Sequence, residues 1–355
     1  MTRRDHRYPA PSGRPGKGSR HAWGIAVVLA ISAVTGSAGA ALAQGPSPEA
    51  PTKHPATIVT DDTGTQVFVP WDSQRVISLS PANTEIVYAL GAGDRMVGGT
   101  DADDYPPAAA ALPDVVSQTK VLTEQIVALR PDLILAGGND LTPQADVDRL
   151  RSLGYPVVVV YPQTVDGVLA DIRLIGSVLG SDAATAADAM STSIDGDLHH
   201  ISDLAASTSE KPRTLYEIYY GPDLYAPASD SFVADMVELA GGDAITTGDP
   251  TVFSLPLEQL IVADPQVIVL GDALYGTCPD SVATRAGWAD LTAVRTGAIR
   301  PVNDTVITRP GPRIADGLAS LTRAIHPELG DQLTDLPADP PMCQAAPSSS
   351  ASAQP

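Results

Sequence analysis

The chain has 355 residues, 43% of them hydrophobic and 18% charged. That exceeds one ordinary domain, supports a sizeable core and is not the composition of a disordered protein. With 42 acidic against 22 basic residues the net charge is −20, and a field of that sign repels polyanions, which excludes a general nucleic-acid binder.

Arg3, Arg4, Arg7, Arg14, Lys17 and Arg20 precede an apolar run from Trp23 to Val34, and Ala41-Leu42-Ala43 follows. A basic, then apolar, then A-x-A order is that of a secretory signal, so residues 1–43 read as an export signal. A retained anchor is the alternative, because residues 23–42 just reach the length of a membrane span. Residues 44–55, rich in Pro, Ser and Ala, read as a linker. In an oxidising compartment the two cysteines, Cys278 and Cys343, favour one disulfide over two free thiols.

From residue 56 the pattern becomes regular. Thr57–Thr60 and Gln66–Val69 flank Asp61-Asp62-Thr63-Gly64, a hairpin signal. Arg75–Ser80 reads as a buried strand, with Ser80 and Pro81 opening a helix that stops at Gly91. Strand-then-helix units recur after it, the signature of an α/β fold with a mainly parallel sheet.

Residues 124–137 (EQIVALRPDLILAG) match residues 258–271 (EQLIVADPQVIVLG), each a short helix, a Pro-marked turn and a buried strand ending in Gly. A strand like Arg75–Ser80 restarts at Arg213 at nearly the same offset. The chain therefore divides into two similar α/β lobes, residues 56–163 and 208–330. Between them, residues 164–207 lack proline and space Val168, Leu169, Ile172, Ile175 and Leu179 as a helix does, broken near Gly180. This segment reads as a stiff helical connector. Residues 331–355 read as a disordered tail apart from Cys343.

The chain carries no G-x-S-x-G, H-E-x-x-H, Walker or C-x-x-C motif. Four histidines follow the signal: His54, His199, His200 and His326. The adjacent pair points to different helix faces, so a histidine metal site is not expected. Nothing in the sequence demands an enzyme.

The run from Arg75 to Glu85 (RVISLSPANTE) resembles the opening strand and helix of the ABC-transporter substrate-binding proteins for vitamin B12, ferric siderophores and haem. Asp104-Tyr105-Pro106-Pro107, the two repeated glutamate segments and Arg309-Pro310-Gly311-Pro312-Arg313 are similar to further motifs of that family, in the family's order. The resemblance covers residues 56–328. It implies two lobes joined by a long helix, a bulky chelate held between them, and Glu124 and Glu258 docking on arginines of a membrane permease. Ordinary helix N-terminal charge is the alternative for those two glutamates, and their place in a repeat favours the docking role over it.

Loops leaving the strand ends carry Ser80, Tyr105, Asn139, Tyr220, Phe253, Asp272, Tyr275, Arg309 and Arg313, which form the expected ligand set. Its tyrosines suit stacking on a macrocycle, and its arginines suit an anionic siderophore. The tryptophans of the B12 branch are absent from the loops around Gln118, Ala136 and Val252, while Trp71 and Trp288 lie off those motifs. The expectation is an extracytoplasmic, monomeric, non-enzymatic binding protein without a cofactor. Corrinoid is the leading ligand, haem and ferric siderophore the alternatives, and a sensor or storage role without a permease the rival class.

Overall fold

The computed structural model describes residues 56–118, 120–138, 141–340 and 342–343. The expected signal at 1–43, the linker at 44–55, the ligand candidate Asn139 and the last twelve positions of the tail (344–355) lie outside the described residues.

Strands β1 (Ala56–Thr60) and β2 (Gln66–Pro70) pair antiparallel around the Asp61–Gly64 turn, with Ile58 opposite Phe68. The first half continues through β3 (Val76–Ser78), α1 (Pro81–Ala89), β4 (Met96–Thr100), β5 (Asp114–Ser117) and β6 (Lys120–Val121). It closes with α2 (Thr123–Leu129), β7 (Leu133–Gly137), α3 (Gln144–Ser152) and β8 (Val157–Val160). Its sheet runs β6-β5-β4-β3-β7-β8, parallel except where β5 meets β6. Every residue of β7 and β8 is buried, as expected of a parallel strand covered on both faces, which is why these segments show no alternation.

Two helices follow, α4 (Val165–Val178) and α5 (Ser181–Ala206). Gly180 turns the corner between them at φ 104°, and a Cβ there would meet the Asp72 carboxylate at 2.7 Å. Glycine is thus required by conformation and by space.

The second half holds β9 (Arg213–Glu217), β10 (Tyr219–Tyr220), β11 (Leu224–Tyr225), α6 (Phe232–Leu239), β12 (Asp243–Ile245) and β13 (Ser254–Leu255). Next come α7 (Leu257–Ala263), β14 (Val267–Leu270), α8 (Pro279–Ala283) and α9 (Thr292–Thr296). Strand β15 (Ile299–Pro301), α10 (Asp304–Thr308) and α11 (Ile314–Ile325) complete it. Strands β12-β9-β14-β15 form a parallel sheet, and β10-β11-β13 a small antiparallel one.

The sequence repeat is a structural repeat in detail. Helices α2 and α7 both end on a left-handed non-glycine residue, Arg130 and Asp264. In each half an arginine at the start of the central strand donates to the last carbonyls of that helix. Arg75 reaches Leu129 O and Arg130 O, and Arg213 reaches Ala263 O and Asp264 O. Cations at a helix C-terminus satisfy orphan carbonyls and oppose the dipole.

One apolar core joins the halves: Val76 and Leu135 of the first sheet, Ile172 and Ile201 of the connector, and Leu318 and Val269 of the second half belong to it. The tail departs from expectation. Residues 331–340 are not disordered, because Leu333 is buried, Arg323 donates to Leu333 O, Leu336 O and Pro337 O, and Asp339 accepts from Ser320 and Asn303. Cys343 is bonded to Cys278. Few residues between carry a helix or strand pattern, so composition alone hid this strap.

Candidate functional site

A cavity of about 850 Å³ opens between the two halves, beyond the carboxyl ends of β3, β7, β8 and β9. Ligands of open α/β sheets bind in that position. The first half contributes Ser80, Asn83, Leu141 and Tyr161, and the second contributes Ile218, Phe232, Phe253 and Thr308. Apolar and aromatic groups dominate the wall, as they do in small-molecule sites generally.

Three helices aim their N-termini at this space. Ser80, Thr164 and Ser231 are the N-caps of α1, α4 and α6, and all three line it. Thr164 and Ser231 spend their hydroxyls on the amides of Gly167 and Ala234, and Asp235 accepts from the Val165 amide. Helix α1 differs: Ser80 caps no amide, no acidic residue stands in its first turn, and Pro81 fits its start. First-turn amides have no intrahelical acceptor, and those of Ala82 and Asn83, two residues that line the cavity, receive no cap from Ser80. Asn83 is 2% exposed, and its buried Nδ2 has no hydrogen-bond partner among the described residues. Among the described residues, Asp230 is the one charged side chain of the lining.

Of the expected ligand set, Ser80 and Phe253 line the cavity. Asn139 lies outside the described residues, and the other six stand elsewhere. Arg313 holds Glu85 through two hydrogen bonds of 2.8 and 2.6 Å, and Arg309 bonds Glu85 at 3.1 Å and Asp104 at 2.5 Å. Glu85 is 3% exposed, and an isolated carboxylate that deeply buried would be costly, so the arginines answer it rather than the cavity. Tyr105 lies beneath Arg313, whose guanidinium carbon is 4.1 Å from the ring centroid. Tyr220 packs edge-on against Trp288 with Arg285 3.8 Å above its ring. Arg285 in turn pairs with buried Glu217, and burial pushes the Glu217 carboxyl upward despite that partner. Asp272 is buried and accepts from the Thr277 hydroxyl at 2.8 Å. Tyr275 is 85% exposed, outside the cavity.

Sequence reasoning missed Tyr161, Phe232, Asn83 and Leu141. Tyr161-Pro162 directly follows the Val157–Val160 run, so the strand-end rule that selected Ser80 also points to Tyr161. Asn83 stood in the quoted SPAN motif without a role.

Glu124 and Glu258 occupy the first turns of α2 and α7, and both are exposed. Glu124 lies 3.8 Å from Arg149, with a side chain 88% exposed, so solvent screens that contact.

Two similar α/β halves, a helical link and one cavity at the strand ends define a bilobal binding protein. Residues 76–304 match the periplasmic binding protein family, and the chain belongs to it. It is 30% identical over 279 residues to an ABC transporter substrate-binding lipoprotein of Bacillus subtilis, covering 77% of this chain and 86% of that one. It is 32% identical over 317 residues to a cobalamin-binding protein of Halobacterium salinarum, covering 85% and 83%. The crystal structure of the periplasmic vitamin B12 binding protein of Vibrio cholerae superposes with a TM-score of 0.63 at 26% identity, covering 72% of this chain and 98% of that one. Among the described residues, no helix is long and apolar enough to cross a membrane.

Proposed function

We propose that this chain is the extracytoplasmic substrate-binding component of an ABC importer, exported through residues 1–43. It takes up a bulky metal chelate, a corrinoid first of all, in the cavity between its halves. It then delivers that ligand, without turnover, to a permease that docks on Glu124 and Glu258.

The observation that carries this reading is the cavity itself. A corrinoid has broad apolar faces and a rim of amide carbonyls and a phosphodiester. Tyr161, Phe232 and Phe253 offer the faces an apolar wall, and Ser80 and Asn83 at the start of α1 offer the rim polar groups. Trp71 and Trp288 are not in the lining, so these three rings supply its aromatic surface, Phe253 from one of the loops where the B12 branch would carry tryptophan.

The test is titration of the purified protein with cyanocobalamin, haemin and a ferric hydroxamate siderophore, followed by calorimetry. Cyanocobalamin should bind most tightly, one molecule per chain. Tighter binding of haemin or the siderophore would replace the corrinoid assignment, and silence from all three would remove the metal-chelate reading.

A further inference from the structure

Of the side chains lining the large cavity, Asp230 alone is charged among the described residues. A side groove of about 420 Å³ continues from it, sharing Gln163, Thr164, Ser229, Asp230 and Ser231 with the cavity wall. The other charged groups of that groove are Asp235 and Glu238, so it too carries acids and no cation among the described residues.

Two of these three carboxylates are committed. Asp235 accepts from the Val165 amide at 2.9 Å, and Glu238 pairs with Lys211 and accepts from the Ala244 amide at 2.9 Å. Asp230, exposed at the junction of groove and cavity, has neither an ion pair nor a side-chain hydrogen bond among the described residues. Arg309, whose neighbours Thr308 and Pro310 line the cavity, is turned to Glu85 and Asp104 instead. The starts of α4 and α6 do little to offset the charge, because Thr164, Ser231 and Asp235 already accept from amides of their first turns. The uncapped start of α1, a partial positive charge of about half a unit, is on the first-half wall.

We propose that Asp230 makes the cleft charge-selective: it receives a cationic group of the ligand, so a chelate that carries a positive arm binds in preference to its neutral and anionic analogues.

This selectivity deepens the metal-chelate reading of the cavity and rests on it. A carboxylate with no cation beside it attracts an ammonium group and repels a second carboxylate, and the low-dielectric walls of a cleft strengthen both effects. A cavity of about 850 Å³ is about as wide as the Debye length at 0.1 M salt, roughly 10 Å, so a charge anywhere on the bound ligand feels Asp230. The chain's net charge of −20 adds a field of the same sign. Asp230 stands at φ 58°, in the left-handed region that Asp and Asn tolerate better than other residues with a side chain, so Asn can replace it without disturbing the turn.

Cyanocobalamin and two derivatives altered at one rim amide test it: the free carboxylate, and an aminoethyl amide that ends in an ammonium group. Calorimetric titration of the wild type at low salt should rank cation over neutral over anion, with about tenfold between the extremes. Asp230→Asn should narrow that range at least about threefold. Equal affinities for the three, or a range that Asp230→Asn leaves unchanged, overturn the inference, while binding of cyanocobalamin itself upholds the corrinoid reading. If cyanocobalamin does not bind, ferrioxamine B, which ends in an ammonium group, and its N-succinyl derivative, which ends in a carboxylate, carry the same comparison. A cation preference there that Asp230→Asn narrows sustains the inference without the corrinoid. Silence from both scaffolds removes the inference together with the metal-chelate reading. Should Asp230→Asn fail to fold, Asp230→Gly, which suits the same left-handed backbone, takes its place with the same expected outcome.

Discussion

Arg313 and Glu85 face each other across the two halves, joined by paired hydrogen bonds of 2.8 and 2.6 Å although 228 residues separate them in sequence. Arg309 completes the arrangement from the same loop and also reaches Asp104 and Ala102 O. Glu85 belongs to α1, whose N-terminus borders the cavity, so the clamp sets the position of that part of the wall. Removing Glu85 would leave the partly buried Arg313 guanidinium without its anion and Arg309 with Asp104 alone. Breaking a fully buried pair costs roughly 3–5 kcal/mol, and surface pairs contribute under about 1. With the arginine side chains 18% and 20% exposed, Glu85→Gln should lower stability by about 2–3 kcal/mol. Urea denaturation measures this, and an unchanged midpoint would show that the clamp contributes nothing.

Tyr161 lines the cavity and Tyr275 does not. Aromatic contacts contribute ~0.5–1.5 kcal/mol beyond their buried area, and about 1.4 kcal/mol is a factor of ten in affinity. Tyr161→Ala should therefore weaken cyanocobalamin binding roughly tenfold, while Tyr275→Ala leaves it unchanged. Calorimetric titration of both variants checks the placement. The reverse ranking would move the ligand to the outer loop after β14.

Glu124→Arg combined with Glu258→Arg reverses two exposed charges, one in each half. Neither lines the cavity, so ligand affinity should hold. Uptake by cells expressing the cognate permease should fall at least about tenfold, because like charges at a docking surface cost several kcal/mol. Uptake at the wild-type rate would favour a sensor or storage role.

The Cys278–Cys343 bond closes a loop with a sequence separation of 65 and fastens the strap that covers α11. For a loop of that size, chain entropy gives about 4 kcal/mol as an upper estimate. Reduction, or the double change Cys278→Ala with Cys343→Ala, should lower the thermal midpoint and expose the strap to protease. Thiol labelling of unreduced, denatured protein should find no free cysteine. Two labelled cysteines would contradict the bridge.

The fold class was legible because its signals are local. Apolar runs such as Val157–Val160, the Pro-marked turns at Pro131 and Pro265, and the helical spacing through 165–179 each specify an element from its own neighbours. A repeated segment reports a repeated unit wherever the copies end up. The exposed first-turn positions of Glu124 and Glu258 followed from the same local reading.

The cleft wall was not legible in this way. Arg309 and Tyr105 carry side chains suited to a ligand, yet what they touch depends on where α1 meets the loop before α11, a relation among residues far apart in the chain. A buried carboxylate such as Glu85 claims nearby cations because leaving it unpaired would be costly. By itself the sequence determined two α/β halves, their helical link and their strand-end loops, since backbone pattern and burial periodicity act over a few residues. Only the tertiary structure decided which side chains enter the cavity, because the electrostatic and packing partners that draw Arg309, Arg313, Tyr105 and Tyr220 away from it are assembled by folding.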